Sequence, residues 1–520
     1  MKKFRLSIIC MLICSMLIFP ACKKKGLQNK VVSSDKYRIT IACQSEESES
    51  AVLEDLAAAF EAKYPNYEIT VKTFSGKNFE SYMLQNFASN IENSPHIVWT
   101  SDSTHARWHK YFTDLRPFYE RDLAKTDYSL YYESMLDTAA LNGEFRPTAN
   151  YKGTFKADKK DTATGTEYGA NHSQYGIYYA PRDYNKPAIV CNTALFAELD
   201  EKYEEYLGSN LPEDYVSTTQ RLNDIVAGNN WSELDDLFDF AKMIADRINY
   251  IVKNAGAHND PDASFYWKTK YAIDLKLNWE PTYVTILNAL GIKTALNADG
   301  TVNLDNHSAT LEELHSKLYA VDRICNSTGA DTDFAQGFNF LKVVSRPVIS
   351  AYITRFQSIY GSASLQCIQI PTQDIAAGNS GYAMNYYYSK TSVSVNGVTK
   401  SYPDICWDFI KFIITEEGQE VAGASGHNIP VLKSLSEDGA WRHVNSLQGM
   451  NHDAWVAGGE LRQDWFNIYE AEHRTKFRAK FAEFFTNYTM SSYGYGSLAE
   501  LFKSFKHEYA GLDPQGGLRK

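Results

Sequence analysis

The sequence predicts an α/β protein built of two doubly wound lobes. Its 520 residues favour two or more domains over one. Residues 38–99 alternate strand and helix patterns in the order β-α-β-α-β, which is typical of a parallel sheet covered by helices. Further along, residues 175–196 contain two short extended runs joined by a polar bend, a pattern that suits a chain passing from one lobe into another.

Local patterns define the elements of the first lobe. Side chains alternate along the strands, and apolar residues recur at helical spacing in the helix that Pro65 ends. His96 begins the third strand, where a histidine is more often a structural group than a ligand. The predicted strands are 38–43, 67–73 and 96–99, and the predicted helices are 52–64 and 79–89.

Polar and aromatic side chains follow the ends of two of these strands. Gln44 and Ser45 come after the first strand, and Trp99, Ser101 and Asp102 lie at the end of the third. In open α/β sheets, ligands gather beyond the carboxyl ends of the strands. We therefore expect these five residues to contact a ligand.

The predicted crossing supplies a second group of candidates. Residues 175–180 are extended, Pro181 stops them, and residues 182–186 form a polar turn. The apolar run 188–191 then leads to a helix that Asn192 can cap. We expect the residues of the turn to lie in the cleft between the lobes, namely Arg182, Asp183 and Tyr184.

The N-terminus carries an export signal in residues 1–21, with a basic start and an apolar core. Pro20 and Ala21 before Cys22 resemble a lipobox, in which the cysteine is lipidated, although Phe19 replaces the usual leucine. A retained anchor and plain secretion are the alternatives. Residues 22–36 are polar and predict a lipid anchor with a flexible tether, in which residues 23–36 reach at most about 50 Å.

Charge and cysteine usage narrow the function classes. Cleavage removes three of the 52 basic residues and no acidic one, so the formal charge falls from −11 to −14. This excess of acidic over basic residues argues against nucleic-acid binding.

Five cysteines remain beyond the anchor. Their number is odd and most lie in apolar runs, which favours small buried side chains over disulfides. Those five are Cys43, Cys191, Cys325, Cys367 and Cys406.

Several stretches together resemble one known family. They are the pattern aromatic-Gly-x-Tyr-Tyr-x-Pro at 175–181, SPHIVWTSD at 94–102 followed by FTDLRPF at 112–118, NWSEL at 230–234, and the run 407–434. The sequence is similar to the family 1 extracellular solute-binding proteins of ABC transporters, of which the maltodextrin-binding proteins are the best-known members. The resemblance runs from about residue 37 to residue 509, with insertions at 141–174 and 208–228.

The resemblance implies a periplasmic binding protein-like fold of type II, with three hinge crossings near 181–187, 362–371 and 428–433. It places the first lobe in residues 37–184 with 366–430, and the second in 185–365 with 431–520. It also makes residues 343–353 a strand that ends near the ligand. Further contacts are implied at Trp108, Trp267, Tyr352, Arg355 and Tyr386.

The function implied is that of an extracytoplasmic lipoprotein. It would capture a carbohydrate, with an oligosaccharide favoured, in the cleft and deliver it to the permease subunits of an importer. It would be a monomer held to the outer face of the plasma membrane by its lipid, with no nucleic-acid partner. We expect no catalytic residue, no metal and no cofactor.

Two alternatives come from other classes of protein. A glycan-active enzyme resembling a glycoside hydrolase needs two carboxylates at a set separation, and 63 acidic residues make such pairs inevitable. A surface glycan-capture lipoprotein of helical repeats needs a repeat period, which the sequence lacks. The stretch 297–305 contains an Asp-Gly turn, but it favours a hairpin over a calcium loop.

Overall fold

The computed structural model describes part of the chain, and within it two main sheets of six and four strands pack against helices. This arrangement confirms the predicted α/β class. The described residues are 29–44, 49–88, 94–101, 108–132, 136, 139, 176–277, 279–292, 307–326, 331–444, 447, 449–456 and 459–461.

The strands are labelled in chain order. They are β1 Lys30–Ser34, β2 Tyr37–Gln44, β3 Tyr67–Phe74, β4 Ile97–Ser101, β5 Ala180–Asn185, β6 Ala188–Asn192, β7 Tyr271–Asp274, β8 Asn339–Val344, β9 Leu365–Gln369, β10 Asp374–Ala376, β11 Gly378–Met384, β12 Thr391–Val395, β13 Val398–Ser401, β14 Ile429–Pro430 and β15 Gly459–Leu461.

The α-helices are labelled in the same way. They are α1 Glu49–Lys63, α2 Gly76–Ala88, α3 Arg116–Asp122, α4 Thr193–Leu207, α5 Thr218–Val226, α6 Leu234–Asn254, α7 Pro261–Lys268, α8 Glu280–Ala289, α9 Ser308–Leu318, α10 Asp331–Ala335, α11 Arg346–Tyr360, α12 Tyr402–Ile413, α13 Glu416–Ala424 and α14 Lys433–Asp438.

The larger sheet has the strand order β14-β5-β11-β4-β2-β3. Strand β2 is parallel to both β3 and β4, so the predicted β-α-β-α-β order of the first lobe is confirmed. Strand β11 runs antiparallel to β4 and β5. The apolar side chains of β2 pack with those of α1 and α12, including Ile41, Leu53, Phe60 and Phe409.

The smaller sheet has the strand order β7-β8-β6-β9 and a core shared with α4 and α6. The chain enters this sheet through Lys186 and Pro187, which join β5 to β6. Residues 370–377 lead from β9 back to β11 in the larger sheet. Beyond β14 the chain leaves the larger sheet again, and Trp441 packs in one apolar cluster with Val344 and Ile349.

The predicted polar turn at 182–186 is wrong. Strand β5 continues to Asn185, and its residues from Ala180 to Tyr184 are buried. The polar sequence was misleading because the charges of Arg182 and Asp183 are neutralised inside the protein rather than by solvent.

The predicted strand at 343–353 is also wrong beyond its first two residues. Strand β8 ends at residue 344, and α11 begins two residues later with Pro347 in its first turn. The β-branched side chains favoured a strand, yet Ile349, Ile353 and Phe356 recur at i, i+4 and i+7 and are buried on one side of the helix.

Part of the predicted flexible tether is ordered. Strand β1, which lies within residues 22–36, pairs in parallel with β12. Most of its side chains are exposed, and Val31 is 69% exposed, so the pairing rests on backbone hydrogen bonds that side-chain patterns do not report. The prediction of a flexible tether is therefore wrong for Lys30–Ser34.

The second predicted insertion, 208–228, contains helix α5 and is anchored to the smaller lobe. The Asp200 carboxylate accepts hydrogen bonds from the backbone and hydroxyl of Thr218 and pairs with Arg247 at 2.7 Å. Trp441 and Trp455 are fully buried. The predicted insertion 141–174 and the predicted turn at 297–305 fall outside the described residues.

The five cysteines of the body are free thiols, and four of them are buried, as the apolar runs predict. Burial raises the pKa of the Cys43 thiol to about 12. The pKa of Cys325, which is half-buried, is also raised to about 12 by burial. Their role is packing, since a protonated buried thiol is a poor nucleophile.

Candidate functional site

The carboxyl ends of strands in the larger sheet form one edge. Strands β2, β4 and β5 all end there, because β11 is antiparallel to both β4 and β5 and begins where they end. The pairs Ser380 with Ser101 and Ser380 with Asp183 fix this register. Loops that follow β2 and β4 therefore leave the sheet side by side.

The smaller sheet presents the same kind of edge to the crossings. Strands β7, β8 and β9 end where β6 begins, as the pairs Ala188 with Val344 and Ala188 with Gln369 show. Since only Lys186 and Pro187 separate β5 from β6, the carboxyl edges of the two sheets converge. A ligand at this junction can touch both lobes, so the junction is the candidate site.

A buried charge network lies under the edge of the larger sheet. The Arg182 guanidinium donates to both carboxylate oxygens of Glu49, at 2.7 and 2.8 Å, and to Asp183 at 2.9 Å. The Tyr382 hydroxyl accepts from Arg182 and donates to Glu49, each at 2.5 Å. Ser380 donates to the second oxygen of Asp183 at 2.8 Å. The network ties the start of α1 to β5 and β11.

The charges of this network neutralise one another inside the protein, as in a structural ion-pair cluster. Burial lowers the pKa of Arg182, but the adjacent Asp183 and Glu49 carboxylates outweigh burial and hold that pKa well above its usual value. Burial raises the pKa of the Tyr382 hydroxyl well above its ordinary range. Arg182 and Asp183 are each 1% exposed, so their polar atoms form hydrogen bonds inside the protein and do not face a solvent-filled cleft.

Among the residues predicted from strand ends, the structure brings three together. Gln44 ends β2 and Ser101 ends the neighbouring β4, and both are half-buried. Trp99 precedes Ser101 by two residues and packs edge-on against Phe79 beside the core of the larger lobe, and its indole Nε1 is buried with no hydrogen-bond partner among the described residues. Ser45 and Asp102 lie outside the described residues. The converged strand ends thus offer an amide, a hydroxyl and an indole donor.

The other predicted contacts are placed elsewhere. Tyr184 is buried edge-on against Tyr132 near the first crossing. Trp108 belongs to the core of the larger lobe, and Trp267 packs against Phe340 in the core of the smaller lobe. The sequence alone does not separate such aromatic residues from sugar-stacking ones.

Three further predicted residues lie on a helix that was predicted as a strand, or beyond the far end of β11. Arg355 is exposed on α11, and Tyr352 lies on the same helix, which replaces the predicted strand. Tyr386 follows β11 at the end remote from the crossings, since β11 begins at the converged edge and runs away from it. These positions do not place Arg355 or Tyr386 beside Gln44 and Ser101.

Sequence reasoning missed one residue at the junction. Arg346 begins α11 directly after β8, is fully buried, and donates one hydrogen bond, from Nη2 to the carbonyl of Trp441 at 3.1 Å. Ser345-Arg346-Pro347 after an apolar run signals a helix start at a strand end. That signal was available, but the β-branched residues that follow outweighed it.

Together, the fold and the junction define a class of protein: two α/β lobes linked by several crossings, with a candidate ligand site between the strand edges. Such an arrangement can bind a molecule between its lobes by hinge closure. Among the described residues, no cluster of His, Cys, Asp or Glu is arranged to hold a metal ion. Within the same ranges, no helix combines the length and apolarity needed to cross a membrane.

Comparison with known proteins identifies the fold. No family model matches the sequence, and no curated protein matches it. Solved structures do. Maltose-bound MalE3 of T. maritima has a TM-score of 0.57 at 12% identity, over 92% of this chain and 100% of that one. The GacH receptor of Streptomyces glaucescens, solved unliganded and with acarbose, has a TM-score of 0.56 at 13% identity, over 92% and 98%.

A third neighbour is an ABC transporter solute-binding protein from Agrobacterium radiobacter in complex with ribitol. Its TM-score is 0.55 at 14% identity, over 92% of this chain and 99% of that one. At these identities the similarity shows the fold alone. The chain has the periplasmic binding protein fold of type II, as the sequence resemblance implies, and its structural neighbours include proteins solved with maltose, acarbose and ribitol.

Proposed function

We propose that this protein is the extracytoplasmic carbohydrate-binding component of an ABC importer. The observation that carries the proposal is the convergence of the two carboxyl strand edges at the crossings, in a fold whose solved neighbours include proteins bound to maltose, acarbose and ribitol. A solute held between both lobes stabilises their closed arrangement, because it gains contacts there that it lacks when they are apart.

The strand-end donors of the larger lobe are the proposed sugar contacts. Gln44 and Ser101 supply hydrogen-bonding groups, and the unpartnered Nε1 of Trp99 supplies a donor. A buried donor left without a partner costs about 1–3 kcal/mol, so a sugar hydroxyl that meets it is selected over an analogue lacking that hydroxyl. Ser45 and Asp102 remain candidates from their sequence position.

The buried network of Arg182 has a supporting role in this proposal. It fixes the start of α1 and the ends of β5 and β11, and these elements lead into the candidate site. Because Arg182 and Asp183 already satisfy each other, they set the geometry of the site without touching the ligand. Tyr184, Trp108 and Trp267 act in the same way through packing.

Export and membrane attachment complete the proposal. Lipidation at Cys22 after removal of residues 1–21 would hold the protein at the outer face of the plasma membrane, where it delivers its ligand to permease subunits. This step rests on the lipobox-like sequence. Metabolic labelling with a fatty-acid analogue tests it: wild-type protein is expected to incorporate the label, and Cys22→Ser protein is expected to incorporate none. Labelling of both proteins would contradict it.

A ligand screen tests the binding function. The lipid-free protein is mixed with mono- and oligosaccharides, amino acids and peptides, and the melting temperature is measured. Each hit is then titrated by calorimetry, and the mixture is analysed for reaction products. We expect a saccharide to raise the melting temperature and to be recovered intact. A peptide as the sole hit would overturn the ligand class, and released sugar products would favour the glycoside hydrolase.

Trp99 provides a site-specific test of the same proposal. Trp99→Phe keeps an aromatic ring and removes the N–H donor, so we expect the affinity for the identified saccharide to fall about tenfold. Trp267→Phe alters an aromatic residue of the smaller core and serves as the control for general effects of losing an indole. Equal affinity of wild-type and Trp99→Phe protein would remove Trp99 from the site.

A further inference from the structure

Among the described residues, Arg346 is a buried cation without a charged partner. Its side chain is 0% exposed, and beyond the one bond from Nη2 to Trp441, Nε and Nη1 have no hydrogen-bond partner in the part of the chain that the structure describes. Within the described part of the chain it forms no ion pair. Burial lowers the pKa of Arg346 to about 10, against a small opposing effect of Cys367, so the guanidinium still carries its positive charge near neutral pH.

Three other buried cations pair with carboxylates, whereas Lys270, which is 3% exposed, lies 4.1 Å from the centre of the Tyr266 ring and forms no ion pair among the described residues. Arg182 meets Glu49 at 2.7 Å, Arg247 meets Asp200 at 2.7 Å, and Lys342 meets Asp274 at 2.5 Å. Burying an unpaired charge is costly, and folded proteins normally avoid it by pairing. The isolated guanidinium of Arg346 is therefore a position at which an anion would be strongly favoured.

The surroundings of Arg346 also favour an anion. The guanidinium lies 5.4 Å from the centre of the Trp441 ring, which has His452 edge-on against it. The Nε1 of Trp455 is buried without a partner, as is the Nδ1 of His427. Burial and the charge of Arg346 both lower the pKa of His427, and burial, Arg346 and nearby Arg442 lower that of His452 to about 4. Both imidazoles are therefore neutral near pH 7 and Arg442 pairs with Asp453, so the charge available to an anion is that of Arg346.

The backbone adds further donors at the same position. Arg346 is the first residue of α11, a helix of 15 residues, and the preceding Ser345 makes no side-chain hydrogen bond that caps it. The first N–H groups of a helix have no intrahelical acceptors and carry the positive end of the helix dipole. A buried guanidinium and an uncapped helix start thus coincide.

This position lies at the junction of the lobes. Val344 and Ile349, on either side of Arg346 in sequence, share one apolar cluster with Tyr184, Ala377 and Ile429. Tyr184 precedes the first crossing, Ala377 lies in the second and Ile429 lies just before the third. Because Arg346 ends up enclosed, a group that binds it enters while the lobes are apart and is buried when they close.

We propose that Arg346 and the start of α11 bind the anionic group of an acidic sugar, a carboxylate or a sulfate ester. This inference rests on the proposed function and specifies its ligand class. Carboxylates and sulfates are matched by the planar fork of an arginine, since Nε and Nη1 can each donate to the anion. A neutral sugar leaves those donors unpaired and buried, so it binds more weakly.

Matched ligands test the inference. The lipid-free full-length protein is titrated by calorimetry with galacturonate and galactose oligomers of equal length, and with a sulfated galactose oligomer. Inorganic sulfate is included as the anion alone. We expect an acidic oligomer to bind at least about tenfold more tightly than its neutral counterpart. Comparing the affinities for the galacturonate and the sulfated oligomers identifies which anion is preferred. Weaker binding of inorganic sulfate than of the preferred oligomer shows that the sugar contributes to binding as well as the anion.

Variants of two arginines on one helix provide the control. Arg346→Gln is expected to weaken binding of the acidic oligomer by about 10- to 100-fold and to bring it close to the affinity for the neutral oligomer, and Arg346→Lys is expected to retain part of the preference. Arg355→Gln, at an exposed position of α11, is expected to match wild type for both ligands. Circular dichroism checks that each variant folds.

The outcomes separate this inference from the function on which it rests. Neutral oligomers that bind as tightly as acidic ones, or an Arg346→Gln protein that retains full acidic affinity, would overturn the anion site and leave a carbohydrate-binding protein. Failure of every saccharide, neutral or acidic, to bind would overturn both. If Arg346→Gln does not fold, the comparison of matched ligands on the wild-type protein decides the question.

Discussion

Removing the cation from the buried network of the larger lobe is expected to destabilise the protein strongly. Arg182→Leu replaces the guanidinium with an apolar side chain of lower volume. Glu49 and Asp183 then stay in place as carboxylates whose side chains are 8% and 1% exposed. The Tyr382 hydroxyl still donates to Glu49, but Asp183 keeps only the neutral Ser380 hydroxyl among its side-chain donors described above.

The magnitude follows from this geometry. Breaking a buried ion pair by removing one partner costs about 3–5 kcal/mol, because the remaining charge is buried without compensation. Arg182 serves two carboxylates, so we expect a loss at the upper end of that range. Adding Glu49→Gln and Asp183→Asn to Arg182→Leu removes both stranded charges and is expected to recover at least half of the loss. Such recovery distinguishes electrostatic destabilisation from the cavity left by a smaller side chain.

Urea unfolding followed by tryptophan fluorescence measures the change. The two lobes can unfold separately, so the effect is assigned to the transition of the larger lobe rather than to a single midpoint. Arg38→Leu is the control, since Arg38 pairs with Asp35 at a surface where its side chain is 52% exposed, and we expect no measurable change. A loss for Arg182→Leu as small as that of the control would refute the reasoning that these charges are inaccessible to water.

Two further predictions concern stability. Burial lowers the pKa of His96 to about 3, and its Nδ1 accepts the Thr40 N–H, so the folded protein excludes a proton that the unfolded chain binds below pH 6.5. The stability that depends on neutral His96 is therefore fully present above pH 6.5, and the free energy of unfolding falls by about 1.4 kcal/mol per pH unit as the pH drops from 6.5 towards 3. In urea titrations, His96→Asn protein should show a correspondingly shallower dependence of the free energy of unfolding on pH. A Cβ on Gly381 would lie 1.9 Å from the Ala180 carbonyl, so Gly381→Ala should lower the free energy of unfolding by about 1–3 kcal/mol, whereas Gly256→Ala, with open space around it, should not.

The sequence carried enough information for the parallel core of the larger lobe. Its strands and helices alternate with apolar residues at periods of 2 and 3.6, and local periodicity is the strongest secondary-structure signal. Helix α12, Tyr402–Ile413, carries the same kind of local signal, because its apolar spacing is regular and Ser401 caps it. His96 was expected to be structural, and its ring lies against Tyr402 and hydrogen-bonds the backbone.

The errors arose where polar residues are buried. Arg182 and Asp183 resemble a solvated turn in sequence, and their partner Glu49 is 133 positions away from Arg182 along the chain. No local pattern reports a pairing at that separation. The same limit applies to Arg346. Its position at a helix start was readable from Pro347, whereas the lack of a carboxylate around it among the described residues depends on the packing of distant segments.

The two arginines at the junction differ in a way that bears on how the site works. Arg182 belongs to the larger sheet and is saturated by groups of its own lobe, so ligand binding leaves its hydrogen bonds intact. Arg346 belongs to the smaller lobe and has donors to spare. A ligand that satisfies Arg346 gains that interaction only when the lobes enclose it, whereas its contacts with the strand ends of the larger lobe are available beforehand. Under the proposed function, we therefore expect the larger lobe to bind the sugar first, and an anion held by Arg346 then to stabilise closure.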